Sequence, residues 1–557
     1  MLDVPEIAEF NLPSKFSFWR PGQQEMISKV VDSQARFTGM CMPTGAGKSA
    51  VYMALAGCFG RTVILTSTKG LQDQLIKDFT EMGLKDIRGQ NNYRCKYYET
   101  YTTGSRFVKA NGRGEGRETT CDEGPCHAGF RCKLKQLGCD YYDQKRRVRG
   151  SQLVVTNYSY WLGNENQNEK ASLGKFDLLV CDEAHNCPDE LGDYLMVETH
   201  AVELEELLGV PFPDSETDAE EDFSYWKEWA TSLVEIANRM IAPFMEESDE
   251  PLDRGAMRWL MRMTRLRDRL MRVADAHEEW IHESFRDRRG TRTIRFSPVD
   301  VRKYGGYLFR EIPRVLLVSA TIRPKTMALL GIGTGNIGSD GGDDFLESKR
   351  AFAKDRRMLA HIPTVRMSHG IPMDQMLHWV SRIDQITDRR LDRKGILHTV
   401  SYKRAQLYMD KTRHRDIVWM PKSGELRSAV EEFRTHPEKM LLVSPALTTG
   451  YDFPDDECRY QIIGKIPFPD TRSKILQARV KLDPDYAAYI AMQILVQTCG
   501  RGIRSEEDWC ENFIIDDHWL WFWKRYRNFA PAWFGEAVKF VQTVPDARRQ
   551  EVVKPCS

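Results

Sequence analysis

The stretch "MPTGAGKSAVYMALA" (42–56) sets a glycine-rich turn between an apolar run, "FTGMCM" (37–42), and a helical one. Few patterns constrain a fold more, because strand–turn–helix is the unit from which parallel sheets are wound. In such a turn Gly45 and Gly47, with Thr44 and Ala46 between and beside them, let backbone amides approach a phosphate. Lys48 would neutralise β- and γ-phosphate oxygens, and the Ser49 hydroxyl would ligate Mg²⁺. The strict G-x-x-x-x-G-K-[ST] pattern departs at its first position, where Met42 stands.

The same unit repeats along the chain. Apolar β-rich runs at 37–42, 62–67, 153–157, 177–182 and 315–320 form one group, and runs at 395–400, 440–445, 460–465 and 513–517 a second. Runs without polar alternation predict strands buried on both faces, hence two doubly wound α/β domains. A Gly/Asp-rich break, "GIGTGNIGSDGGDD" (331–344), predicts a linker between them. "LLVCDEAH" (178–185) ends a strand in two carboxylates. Asp182 would hold Mg²⁺ and Glu183 would orient and deprotonate an attacking water.

Two segments interrupt the first group. In 91–150, Cys121, Cys126 and Cys132 stand four and five residues apart, with Cys95 upstream and Cys139 close behind. Zinc ribbons favour tighter C-x₂₋₄-C pairs, yet thiolates suit zinc and iron–sulfur clusters alike, so the chemistry leaves both open. Residues 94–150 carry 13 Lys/Arg against 7 Asp/Glu, in a chain whose 80 basic and 80 acidic residues cancel as a whole. "KRRVRG" (145–150) follows Tyr141 and Tyr142, a mixture suited to phosphates and bases of a single strand. Residues 191–305 read as mostly helical. There Arg254, Arg258, Arg262, Arg265, Arg269 and Arg272 share a helical face, with Leu260, Met263, Leu266 and Leu270 on the buried side. These arginines would either line a strand's path or pair with the acidic loop 214–222.

A chain of 557 residues exceeds one core. No apolar run reaches the roughly 18 residues of a membrane span, and no secretory signal is visible, so thirteen cysteines argue for reduced thiols in a cytoplasmic protein.

Taken in order, the motifs resemble those of superfamily 2 DNA helicases of the DEAH type. "FWRPGQQEMI" (18–27) resembles the adenine-contacting segment, with Gln23 the base reader and Arg20 its neighbour. "TSTKGLQDQL" (66–75) resembles motif Ia, "SAT" (319–321) motif III, "SPALTTGYDFP" (444–454) motif V and "QTCGRGIRSEED" (497–508) motif VI. The resemblance implies roles in the nucleotide site for His185, Gly450 and Asp452, and in catalysis for Gln497, Arg501 and Arg504. A cysteine insertion between motifs Ia and II is similar to the XPD/DinG family, where it holds a [4Fe–4S] cluster. The C-x₄-C-x₅-C triplet resembles the bacterial DinG branch. By that resemblance Cys95, Cys121, Cys126 and Cys132 are the cluster ligands, with Cys139 the alternate.

The expectation is therefore α/β, with two RecA-like parallel-sheet motor domains. The first (1–90, 151–190 and 306–345) is interrupted by an iron–sulfur domain (91–150) and a helical arch (191–305); the second spans 346–557. The resemblance further implies ATP and Mg²⁺, single-stranded and forked duplex DNA as partners, 5′–3′ travel on a strand framed by arch and cluster domain, and a monomer without membrane contact. R-loops are a further substrate class it leaves open. Neither the pathway, DNA repair included, nor a host or phage origin follows from the residues. No nuclease motif is evident, and none is expected before the adenine segment. Two rivals stay open on the same motifs: an RNA or R-loop unwinding enzyme, and an ATP-switched clamp within a larger assembly.

Overall fold

The computed structural model describes residues 6–97, 119–127, 132–136, 138–165, 172–213, 223–246, 254–276, 280–287, 289–333, 342–348, 353–422, 425–438, 440–445, 451, 453–503 and 507–548. Two seven-stranded parallel sheets form its frame. The first runs, in spatial order, Asp343–Glu347, Phe37–Cys41, Arg314–Ser319, Leu178–Asp182, Thr62–Thr66, Leu153–Asn157 and Lys85–Asp86. Its strands Phe37–Cys41, Thr62–Thr66 and Leu178–Asp182 are buried at every position, as expected where helices cover both faces. The second runs Val418–Trp419, Leu441–Ser444, Gly395–His398, Tyr460–Ile463, Glu511–Asp516, Leu359–Val365 and Val538–Phe540.

All nine apolar runs become strands. Three strands of the second sheet lie outside them. Val418–Trp419 and Val538–Phe540 are two and three residues long, too short to show a period. Leu359–Val365 carries His361 and Pro363, which hide it. Asp343–Glu347 pairs in parallel with Phe37–Cys41, so the tail of the expected linker is an edge of the first sheet.

The cysteine segment carries little regular structure in its described residues. These comprise short 3₁₀ turns at Gln90–Asn92, Cys121–Glu123 and Lys133–Lys135, one helix at Asp140–Arg149, and an isolated antiparallel bridge between Arg94 and Thr120. Cys95 N donates to Thr119 O and Cys121 N to Tyr93 O, each at 2.8 Å. The bridge thus sets Cys95 and Cys121 side by side.

Residues 191–305 contain the helices Phe223–Glu246 and Arg254–Ala274, and also a feature the expectation of a helical segment lacked. Val197–His200, Arg292–Pro298 and Trp280–Arg286 form a three-stranded antiparallel sheet. It is amphipathic. Ile294 and Phe296 are buried and Phe296 packs against Trp226 at 5.5 Å between ring centroids, while charged neighbours face out and dilute the apolar signal. The arginine helix buries Leu260, Met263, Leu266 and Leu270 as expected. Its arginines find partners other than the loop 214–222, which lies outside the described residues. Arg262 pairs with Glu206 at 2.7 Å and Arg269 with Glu203 at 2.5 Å. Arg265 reaches the cysteine segment, donating to Asp122 O at 2.9 Å and to its carboxylate at 3.3 Å. The Arg254 side chain lies outside the described set. Among the described residues no helix is long and apolar enough to cross a membrane.

Candidate active site

The phosphate loop is braced by the segment before it. Gly45 and Gly47 both take φ of 76°, a conformation that favours glycine. A Cβ on Gly47 would also sit 2.4 Å from Gln23 Nε2. That amide nitrogen donates to Ala46 O and Gly47 O, both at 3.0 Å, and Gln23 Oε1 accepts from Arg20 N at 2.7 Å. The Arg20 guanidinium donates to Gly45 O. With carbonyls 46 and 47 turned to the brace, planar trans peptides send the amides of Gly47 and Lys48 the opposite way. Those amides and the uncapped start of helix Lys48–Phe59 make an anion cradle. Gln23, expected to read a base, and its neighbour Arg20 thus brace the loop.

Opposite the cradle, strand Leu178–Asp182 ends and Glu183 turns at φ 50°, a left-handed conformation that costs a non-glycine residue about 1–2 kcal/mol. Glu183 N donates to Asp182 Oδ1 at 3.0 Å. The Tyr52 hydroxyl, from the cradle's own helix, donates to Asp182 Oδ2 at 3.3 Å and hydrogen-bonds Ser49. Burial, with the Glu183 carboxylate beside it, pushes Asp182 up to about 7, and Lys48 opposes that rise. A buried carboxylate under like-charge stress next to a serine hydroxyl is a donor set that suits a hard divalent cation. Tyr52 was not foreseen; an aromatic inside an apolar helix carries no local sign of a polar role.

The second sheet's domain completes the site. His185 Nδ1 lies 2.8 Å from Ser319 Oγ and 3.4 Å from Glu183 Oε2. Gln497 Nε2 donates to Thr321 Oγ1 at 3.0 Å and lies 3.4 Å from His185 Nδ1. One turn earlier on helix Tyr486–Cys499, Gln493 Nε2 donates to Thr321 O at 2.7 Å. Gln493 also escaped the sequence reading, although two glutamines four apart in an otherwise apolar helix mark one polar stripe. Arg501 is 7% exposed. Burial lowers its guanidinium to about 10, while the Glu183 carboxylate pulls it back up. Gly500 packs against the loop so closely that a Cβ would sit 2.9 Å from Thr44 Oγ1. Lys48, Ser49, Asp182, Glu183, His185, Gln497 and Arg501 thus gather at one junction. Arg504, Gly450 and Asp452 lie outside the described residues.

The cysteines gather at a second place. The Cys121 thiol hydrogen-bonds with those of Cys139 and Cys95, and its Sγ lies 3.9 Å from Cys139 Sγ. Cys126 and Cys132 sit within electrostatic reach of Cys95 and Cys139. A Cβ on Gly124 would come 2.9 Å from Cys95 Sγ, so glycine is what admits that thiol. Among the described residues no group of three or more His, Cys, Asp or Glu side chains converges on a single metal-ion position. Five thiols in one neighbourhood nonetheless match the donor chemistry of a four-iron cluster, whose thiolates bind separate irons rather than one point.

Beside the cysteines runs an open groove of about 1270 Å³ between this segment, the arginine helix and the first motor domain. Lys135, Lys145, Arg146, Arg149, Arg269 and Arg272 are among its lining residues. Tyr141, expected to stack on bases, is instead buried, its hydroxyl 3.3 Å from that of Tyr160. Arg147 is not among the lining residues.

Comparison with known proteins agrees with this anatomy. Residues 17–205 match the type III restriction enzyme res subunit and residues 392–537 the helicase C-terminal domain. No curated protein matches the chain in sequence. A solved XPD helicase is similar in fold, with a TM-score of 0.59 at 14% identity, covering 94% of this chain and 99% of its own. The S. tokodaii Xpd4 structure gives 0.56 at 13% identity, covering 94% and 100%. Fold, junction and domain matches together define the class: an ATP-driven nucleic-acid helicase motor of superfamily 2. Its fold is XPD-like, with the two sheets as RecA-like motor domains.

Proposed function

We propose that this protein is a DNA helicase of the XPD/DinG kind, travelling on single-stranded DNA and splitting duplex as it hydrolyses ATP. The observation that carries the reading is the shared junction. Gln497 and Arg501 of one motor domain meet His185, Thr321 and Glu183 of the other. A nucleotide bound there touches both domains, so its hydrolysis changes their fit and moves one against the other.

The residues divide the work by position. The Gly47 and Lys48 amides and the Lys48 ammonium hold the phosphates. Glu183 orients and deprotonates the attacking water, and His185 and Ser319 hold Glu183 in place. Arg501 stabilises the charge that develops on the transferring phosphoryl group. Ser49 and Asp182 hold Mg²⁺, which supplies charge neutralisation at the phosphate oxygens.

The cysteine segment, we infer, holds a [4Fe–4S] cluster through Cys95, Cys121, Cys126 and Cys132. Cys139 lies near enough to Cys121 to replace one of them. A segment with one helix among its described residues buries little apolar surface there, so metal–thiolate bonds supply its rigidity. The strand's path is the groove beside it, where the lysines and arginines of segment and arch face phosphates.

The test is unwinding of forked duplexes bearing a 5′ or a 3′ tail, with Lys48→Ala as the inactive control. ATP-dependent separation from the 5′ tail is the expected result. A strong preference for RNA–DNA hybrids, or single-strand-stimulated hydrolysis without any separation, overturns the assignment.

A further inference from the structure

The helix that opens at the cradle, Lys48–Phe59, is apolar along its middle. Ala50, Val51, Tyr52, Met53, Ala54, Leu55 and Ala56 are all buried, and among these seven only Tyr52 carries a side-chain oxygen or nitrogen. Tyr52 is 0% exposed. A hydroxyl taken wholly out of water costs stability unless it is hydrogen-bonded. A phenylalanine would fill nearly the same space without that cost, so it is the hydroxyl that needs a reason.

Its partners supply one. The phenol has a single proton, which it donates to Asp182 Oδ2 at 3.3 Å. In its hydrogen bond with Ser49, the Tyr52 oxygen must therefore accept. Ser49 stands three residues earlier on the same helix, the spacing at which side chains meet along one face. The chain of bonds thus has one direction, from the Ser49 hydroxyl to Tyr52 and from Tyr52 to Asp182. The other carboxylate oxygen, Asp182 Oδ1, accepts from Glu183 N at 3.0 Å. That direction matters to a cation. A serine hydroxyl that ligates a metal offers a lone pair and must send its proton elsewhere. Tyr52 takes that proton and leaves the Ser49 lone pairs free. With Tyr52 on one oxygen and Glu183 N on the other, the Asp182 carboxylate is held against rotation. Groups one bond behind a metal's ligands orient them in this way, and removing such a group typically costs about 10- to 100-fold in metal affinity.

We propose that Tyr52 is a positioning residue for the divalent cation: its hydroxyl presents Ser49 and Asp182 together and so sets the affinity of the nucleotide site for the metal. The proposal rests on the assignment of Ser49 and Asp182 to Mg²⁺ and names the group that makes them a pair. It touches neither nucleotide nor metal and acts only through those two side chains. Its effect therefore falls on how much metal the site needs, not on the chemistry once the metal is in place.

The experiment titrates Mn²⁺ into the full-length protein carrying a non-hydrolysable ATP analogue and counts free Mn²⁺ by its electron paramagnetic resonance signal. Tyr52→Phe keeps the ring and loses only the hydroxyl. It should raise the Mn²⁺ dissociation constant about tenfold. In steady-state hydrolysis the Mg²⁺ midpoint should rise by the same factor, and saturating Mg²⁺ should recover most of the loss. A hydroxyl that merely supported the fold would instead lower the melting temperature, and kcat at every metal concentration, with the midpoint in place; that outcome overturns the proposal. A double-mutant cycle adds an independent reading. In a Ser49→Ala background the loss from Tyr52→Phe should shrink, because one of the two ligands it orients is gone; full additivity overturns the pairing. Unchanged or tighter Mn²⁺ binding by Tyr52→Phe overturns the proposal outright. Unchanged Mn²⁺ binding by Asp182→Asn overturns the metal assignment beneath it instead.

Discussion

The nucleotide junction and the cysteine segment solve the same problem, holding side chains in fixed places, by opposite means. At the junction every key group hangs from a strand end or a helix end of a fully buried sheet. Its position is set before any ligand arrives: Gln23 braces the loop, Tyr52 links Ser49 to Asp182, and Gln497 spans both domains. Among its described residues the cysteine segment has a bridge, three short turns and a helix, and draws its thiols together with no sheet beneath them. One site is rigid because the chain is packed; the other, on the proposed reading, would gain its rigidity from a cluster bound by its thiols.

Arg501→Ala attacks the packed site and should have the largest effect. In steady-state kinetics kcat should fall on the order of 10³-fold with little change in KM, because the developing charge is what the guanidinium meets. A variant that merely raises KM would make Arg501 a binding group. Cys121→Ser attacks the other site. Anaerobically purified wild-type protein should be brown and contain iron; the variant should lose colour and unwinding while hydrolysis without nucleic acid persists. Stoichiometric zinc in place of iron would keep the contrast between the two sites and change the metal. Comparing Cys132→Ser with Cys139→Ser by iron content identifies the fourth ligand.

A smaller effect should follow from replacing Lys145, Arg146 and Arg149 with alanine. The log–log salt slope of single-strand binding should flatten by about 2, some 0.7 per lost phosphate contact; an unchanged slope would move the strand out of the groove. The smallest is confined to the second motor domain. His398 is 3% exposed, bonds Gln461 Oε1 at 3.0 Å, and is lowered by burial to about 4. The unfolded chain binds its proton near pH 6.5 and the folded chain only near 4. Stability is therefore full above pH 6.5 and lost as pH falls toward 4, by on the order of 3 kcal/mol. His398→Gln should flatten that part of the melting curve without changing kcat at neutral pH.

How far the sequence reveals each region follows from the same contrast. The strand–loop–helix at 37–59 and the acidic strand end at 178–183 are contiguous, so their residues identify the site. The brace by Gln23 is a tertiary fact: nothing in "RPGQQE" says that the amide reaches the loop carbonyls. The antiparallel sheet escaped because Val197–His200 pairs with a strand almost a hundred residues later, and its outer face is charged. The arginine row was legible as a helical face, yet its partners, Glu203, Glu206 and Asp122, come from other elements and could not be named from spacing. For the cysteines, spacing identified a group of thiols; only folding shows Cys139 Sγ 3.9 Å from Cys121 Sγ.

The contact between Arg265 and Asp122 also governs how a strand gets in. Where arch and cysteine segment meet around a groove, a linear strand threads by its end, but a closed circle has no end to offer. The guanidinium–carboxylate pair is partly exposed on both sides, 47% and 25%, and such a pair is worth at most about 1 kcal/mol. A fastening that weak comes undone by thermal motion alone. If the strand takes the proposed path, this contact is a side gate, and circular single strands should bind without a loader.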